Sequence, residues 1–326
     1  MNHKIETPLG AALIGAALLA VGATPRALAA EPAKVVISYS QKVADYLPLW
    51  IADEAGLFKK HNVDVTTKYL PAQQGIPALL SDQIQLVGIG GTDAASAVAA
   101  GTKLKLVFTF SPVNTFQFWA QPKYANAAAL KGQRVGITST TGSLYAGTLL
   151  ALKQLGLKAS DVRITPLGPI TNVNNSLLAG SIAAACSHPP ASYKFKQAGM
   201  VELVDLPKQK IPSVSDGIWV SDAYLAAHRD VVQNVVDALA EAFAREKSDR
   251  DYAESVMTKV LGVKDKAQLD FTYDFYVHDV VADGVMPTAR QVQANIDSLA
   301  PSNPKVKNLD AASMVDQSFM KKAEKH

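Results

Sequence analysis

The sequence contains a single cysteine, Cys186, in 326 residues. No intramolecular disulfide is available to it, and zinc sites built from paired cysteines are excluded with it. No stretch beyond the first thirty residues approaches the ~20 uninterrupted apolar residues of a membrane-spanning helix, so the body of the chain is expected to be soluble. The nucleophile elbow G-x-S-x-G, the zinc helix H-E-x-x-H and the P-loop are all missing, which weighs against an enzyme without excluding one. Charge of one sign is scarce as well. Thirty-two Lys and Arg against 29 Asp and Glu leave a formal net charge of +3. No basic patch with interleaved aromatics occurs, and nucleic acid is not an expected partner.

What is present begins with a targeting segment. Lys4 precedes an apolar run from Leu9 to Ala23. Ala27-Leu28-Ala29 then gives the small-x-small pattern of a signal cleavage site, with Glu31 and Pro32 beyond it. Residues 1–29 read as a secretory signal peptide, and the exported chain would start at Ala30. Lys4, Arg26 and Glu6 leave with the segment, so the net charge falls to +2. No cysteine follows the cut, so a free periplasmic protein is expected and a lipid anchor is not. About 300 residues remain, more than one core usually serves.

The remainder alternates short apolar strands with helices. Residues 34–39 read as a strand ending in Ser40-Gln41-Lys42, followed by one helix from about Leu47 to His61. Val63 to Tyr69 alternates as a half-buried strand should. Gly75 to Leu80 is a short helix and Leu86 to Ile89 a strand. Gly90-Gly91-Thr92-Asp93 then opens an alanine-rich helix, and Leu104 to Phe110 is a strand. A second unit repeats the plan, with strands at 134–137, 162–166, 182–186 and 201–205 and helices at 143–155, 171–179 and 190–198. Such βα order implies sheets with covered faces and right-handed crossovers. After a strand at Ile218–Val220 only helices are expected, near 230–247, 252–261, 266–277, 288–299 and 313–322. Their apolar stripes should pack back on the first sheet. The chain would cross between the units near Ser111–Trp119 and near Ser213–Val220.

In open α/β sheets ligands sit beyond the carboxyl ends of the strands. The stretch Thr138-Ser139-Thr140-Thr141-Gly142-Ser143 occupies such a place, between a strand and a helix that begins at Ser143. The free N–H groups of a first helical turn attract anions. The run of hydroxyls exceeds what one N-cap uses, although an ordinary capped helix start would look similar. Ser40 and Gln41, then Gly91, Thr92 and Asp93, then His188 and Pro189 stand at comparable strand ends. Tyr46 and Trp219 are candidates either for an aromatic pocket wall or for the core. Asp93 could hold a ligand cation or cap its own helix. His188 could donate to an acid group or be bonded within its proline turn. Cys186 and His188 share a strand face, but no partner that would orient a catalytic base accompanies them.

Taken in order, the parts resemble the substrate-binding proteins of ABC importers, in the branch for nitrate, sulfonates, taurine and thiamine pyrimidine precursors. Leu47-Pro48-Leu49-Trp50-Ile51-Ala52 through Gly56-Leu57-Phe58-Lys59-Lys60 to Val63-Asp64-Val65 is similar to the family's opening. Gly101-Thr102-Lys103-Leu104-Lys105, Leu130-Lys131-Gly132-Gln133-Arg134-Val135-Gly136 and Val315-Asp316-Gln317-Ser318-Phe319 resemble later steps. Ala179-Gly180-Ser181-Ile182-Ala183 does too, except that Ala183 replaces the usual aspartate. The resemblance implies a type II periplasmic binding fold, with two α/β lobes joined by two crossover segments. Lobe I would be residues 30–112 plus 219–326, and lobe II residues 113–218. The strand-end residues above would meet the ligand as the lobes close.

The expected function is therefore capture of a small organic anion, a sulfonate or carboxylate with aromatic ones included, and its delivery to an ABC permease. No chemistry, no cofactor and no metal are expected, and the protein should be a monomer. Two alternatives stay open: a neutral heteroaromatic ligand such as a pyrimidine precursor, and a periplasmic enzyme on the same fold using Cys186 and His188. A sensory or scaffolding partner in place of a permease is a third.

Overall fold

The computed structural model describes residues 31–140 and 142–324. The expected signal peptide and Thr141 lie outside them. In chain order the first unit is β1 (Ala33–Tyr39), α1 (Leu47–Glu54), α2 (Leu57–Lys60), β2 (Val63–Tyr69), α3 (Ala72–Leu80), β3 (Leu86–Ile89), α4 (Gly91–Ala99) and β4 (Leu104–Thr109). The second is β5 (Gln117–Ala120), α5 (Ala127–Leu130), β6 (Arg134–Ile137), α6 (Ser143–Gln154), β7 (Arg163–Pro166), α7 (Ile170–Leu178), β8 (Ala184–Ser187), α8 (Ala191–Gln197) and β9 (Val201–Asp205). The chain ends in β10 (Gly217–Ser221), α9 (Asp222–Ala227), α10 (Arg229–Ser248), α11 (Arg250–Leu261), α12 (Lys266–Asp274), a π-helical turn (Phe275–Val280), α13 (Ala289–Leu299) and α14 (Ser318–Ala323).

Two five-stranded mixed sheets result, in the orders β2-β1-β3-β10-β4 and β7-β6-β8-β5-β9. In the first, β1 pairs parallel with β2 and β3, and β10 runs antiparallel between β3 and β4. In the second, β6 pairs parallel with β7 and β8, and β5 runs antiparallel between β8 and β9. Each antiparallel strand enters directly after a crossing from the other sheet. The two crossings run side by side. Val113 bridges Pro212, Asn114 N–H donates to the Ile211 carbonyl and Ser213 N–H to that of Pro112.

Most elements fall where the apolar pattern places them, and the exceptions have local causes. Gly56 adopts φ +66°, a conformation open to glycine, and splits the helix expected over 47–61 into α1 and α2. The strand β5 lies in a segment read as a crossover. All four of its residues are buried, so it shows no alternation for a period-two search to find. Val315 is extended because it bridges Leu106, which confines the last helix to Ser318–Ala323. The terminal helices bury their stripes as amphipathic helices must. α10 places Val232, Val235, Val236 and Leu239 against α1, and α13 places Val292 and Ile296 against α4.

Candidate functional site

A cavity of about 420 Å³ lies where the parallel strands of both sheets end. Ser40, Gln41 and Lys42 reach it from the end of β1, and Tyr69, Pro71, Ala72 and Gln73 from the end of β2. Asp93 reaches it from α4. From the second sheet come Thr138, Ser139, Gly142, Ser143 and Leu144 after β6, and Gly168 to Thr171 after β7. This is the strand-end crevice in which open α/β sheets hold ligands.

Four helices start at this cavity: α3, α4, α6 and α7. Their N-cap residues are Pro71, Gly90, Gly142 and Pro169, and none makes a side-chain cap. Glycine and proline carry no oxygen that could. Five helices elsewhere do have such a cap, with Asn126, Ser221, Asp249, Asp265 and Thr288 each accepting a first-turn N–H. The starts of α1, α2, α8, α10 and α14 also lack a side-chain cap and lie elsewhere, but only at this cavity do four such starts converge. Their N–H groups and the positive ends of their dipoles favour an anion by about 0.3–2 kcal/mol per helix.

The side chains add hydroxyls, one cation and one acid. Lys42 is exposed and is the only lysine or arginine among the lining residues. Asp93 is half-buried, and burial pushes its carboxyl up to about 7. Gln41 Oε1 is enclosed with no partner among the described residues. Leu144, Ile170, Pro71 and Pro169 supply apolar wall. The N-termini of α4 and α6 touch: Thr92 Oγ1 lies 3.4 Å from Ser143 Oγ, and a Cβ on Gly90 would overlap that same oxygen. A Cβ on Gly91 would overlap the Asn295 side chain. These two glycines permit close packing of helix ends.

Of the residues expected at a site, the structure gathers Ser40, Gln41, Asp93, Thr138, Ser139, Gly142 and Ser143 around the cavity. Thr92 and Gly91 sit just behind it. Thr140 is exposed and outside the lining. Trp219 does not reach it. The indole is fully buried in the core beside β3 and β4, and its N–H donates to the Ile89 carbonyl at 3.2 Å. Tyr46 is fully buried, its hydroxyl 3.0 Å from Ser40 Oγ and donating to Asp216 at 2.6 Å. Burial first, and then the charge of Asp45, hold the Asp216 carboxyl well above the carboxylate range.

His188 and Pro189 are also buried away from the cavity. His188 Nδ1 is 3.0 Å from the Pro189 carbonyl oxygen, which can only accept, so Nδ1 carries the proton. The same nitrogen is 3.0 Å from the Tyr276 hydroxyl, which donates to Asp45 at 2.6 Å. Ser111 donates to the other oxygen of Asp45. These groups tie α1's approach, the first crossing, the end of β8 and the π-helical turn together. Cys186 is fully buried, with its thiol pushed up to about 12 by burial. Neither Cys186 nor His188 lines the cavity, which removes the geometric basis for an enzyme built on them.

Lys42 belongs to the Ser40-Gln41-Lys42 strand end that the sequence marks; sequence reasoning missed Tyr69, Pro71 to Gln73 and Gly168 to Thr171. A signal exists for both segments. Leu70-Pro71-Ala72 and Gly168-Pro169-Ile170 each place a proline between a strand and a helix, at corresponding points of the two halves. Among the described residues no group of three or more His, Cys, Asp or Glu could hold a metal ion.

Two mixed sheets exchanging a strand across paired crossings, with a cleft at their strand ends, define the periplasmic binding protein fold. Solved structures agree. The alkanesulfonate-binding protein SsuA of Xanthomonas axonopodis pv. citri, bound to MOPS, is 24% identical, with a TM-score of 0.73 over 88% of this chain and 99% of its own. The nitrate-binding protein NrtA of Synechocystis PCC 6803 is 12% identical, with a TM-score of 0.75 over 90% and 89%. A cysteine-to-serine mutant of DszB in complex with biphenyl-2-sulfinic acid is 18% identical, with a TM-score of 0.63 over 90% and 99%. A comparison with curated proteins finds no match. The family model described as NMT1/THI5 like matches residues 43–249, and the chain belongs to that family.

Proposed function

We propose that the protein is the substrate-binding component of an ABC importer, capturing a small organic anion in the cavity between its two sheets. The observation that carries this reading is the convergence of four uncapped helix N-termini on one cavity. A sulfonate or carboxylate group would take their N–H groups and the hydroxyls of Ser139 and Ser143. The apolar wall of Leu144 and Ile170 would hold an organic body, aliphatic or aromatic. Lys42 at the rim adds a cation. Capture would proceed by the sheets closing on the ligand, which stabilises the closed state through contacts that exist only there. Export to the periplasm through residues 1–29 and delivery to a membrane permease belong to the same proposal. Among the described residues no helix is long and apolar enough to cross a membrane. Three structural neighbours whose descriptions name an alkanesulfonate, nitrate and a sulfinic acid support the anion class.

A second reading has its own support. Gln41 Oε1 lacks a partner, and Asp93 is an acid beside it in the lining. Both accept hydrogen bonds, which suits a ligand with ring N–H groups such as a pyrimidine precursor.

Thermal unfolding with a panel of sulfonates, carboxylates, nitrate and pyrimidines separates the two. A ligand at a hundred times its Kd adds about 2.7 kcal/mol. Stabilisation by the anions, weakened several-fold in Ser139→Ala and Ser143→Ala, is the expected result. Stabilisation by pyrimidines alone would favour the second reading. Anion affinity unchanged in both variants would sink the site.

A further inference from the structure

A second cavity, of about 510 Å³, shares no lining residue with the first. Its floor is one face of the second sheet. Gln117 and Trp119 stand two apart on β5 and so share a face. Across the ladder Gln117 pairs with Asp205 and Trp119 with Glu202 on β9. The roof is the end of α12 and the π-helical turn, through Phe271, Phe275, His278 and Asp279. π-Helical turns are rare and are found often at functional sites.

Two polar groups of the floor have no partner among the described residues: Oε1 of Gln117 and the indole N–H of Trp119. Their side chains are only 4% and 3% exposed. Buried donors and acceptors are nearly always paired. An acceptor and a donor left unpaired side by side, on residues that line an open cavity, point to an occupant that supplies both bonds. Acids outnumber lysines in the lining, Glu202, Asp205, Asp274 and Asp279 against Lys196 and Lys208. Lys208 Nζ lies 2.7 Å from Asp205, and Asp274 is held by Arg250 at 3.0 Å. Lys196 Nζ lies over the Phe271 ring. Glu202 and Asp279 have no ion pair among the described residues; burial and then the neighbouring Asp205 push the Glu202 carboxyl up to about 7, and an ammonium beside it would favour its charged form. Trp119, Phe271 and Phe275 supply ring surface for a flat or cationic group.

We infer that this cavity binds a small aromatic amine: its ammonium between Glu202 and Asp279 with an N–H to Gln117 Oε1, its ring on Trp119 and Phe271, and an acceptor on the ring meeting the indole N–H. The site is independent of the anion cavity. An occupant packed on Phe275 also braces the turn from which Tyr276 reaches Asp45 and His188.

Calorimetry on the purified protein tests this with tyramine, which carries an ammonium, a ring and a phenolic acceptor, and with its anionic isostere, a hydroxyphenylpropionate. Tyramine binds and the isostere does not. The paired substitution Glu202→Gln with Asp279→Asn weakens tyramine by about fivefold or more. Glu202 is exposed and Asp279 half-buried, and the substitutions keep shape and size, so this variant should fold, and its thermal unfolding checks that it does. Trp119→Phe keeps a ring and removes only the donor, and it weakens tyramine several-fold. Ser139→Ala in the first cavity leaves tyramine binding unchanged. Binding of neither compound, equal binding of both, or tyramine affinity unaltered by the paired substitution overturns the inference.

Discussion

Asp93 is the residue on which the ligand's charge should be felt most. It stands at the third position of α4, faces the cavity, and is held by burial up to about 7. Below that pH it is neutral and accepts an anion beside it. Above it the carboxylate repels one, so anion affinity should fall as pH rises through about 7. In Asp93→Asn the same titration should be flat, and a slope that survives the substitution would assign the effect elsewhere. Asp93, Ser139 and Ser143 were legible in the sequence because a residue just past a strand and at a helix start has few places to go. Trp219, Tyr46 and His188 were not, for one physical reason. A strand-end side chain lies on one of two faces, and which face is buried depends on crossings and terminal helices far away in sequence. Tyr46 meets Asp216, and His188 meets Tyr276, across separations of 170 and 88 residues.

Four short helices do collectively what no single one can. None has a side-chain cap, and although Gly91 N–H at the start of α4 is taken by the Val214 carbonyl, the shared cavity turns the remaining open first-turn groups into a binding surface. Closing one of them should exchange affinity for stability. Gly142 has extended backbone angles that any residue can adopt, and a Cβ there would find its nearest neighbour, Ser139 Oγ, at 3.3 Å. Gly142→Asn should cap α6, raise stability by about 0.3 kcal/mol, and weaken the anion by occupying the N–H groups it needs. A thermal melt and a binding titration on one preparation read both effects. A loss of stability with no loss of affinity would refute the account. At this scale most of the fold was legible, because βα alternation and helical stripes are local. The strand β5 and the π-helical turn were not. Four buried residues carry no period, and the widening of a helix by one residue per turn answers to tertiary packing that the sequence pattern does not display.

The whole molecule should be sensitive to alkali in its core. Glu246 on α10 is buried, and burial together with the charge of Asp45 pushes its carboxyl from 4.5 up to about 8. The folded state therefore keeps a proton that the unfolded chain releases, so stability falls as pH rises between those values and levels off above them. Asp93 and Asp216 are raised as well and steepen the same slope. Glu246→Gln should flatten its share and raise Tm by a few degrees in mild alkali, as followed by melts across the pH range. The exchange of strands between sheets also sets a timetable. All five strands of the second sheet leave the ribosome as one run, residues 117–205, whereas β3 and β4 are not neighbours and wait for β10, residues 217–221, to slot between them. The half made first is completed last, and meanwhile it presents two unpaired edges to the cell. A chain stopped after residue 216 should protect the amide hydrogens of the second sheet and leave those of β4 open to exchange. Under the export proposed above, passage before that last strand arrives would keep the unfinished half from closing on the wrong side of the membrane.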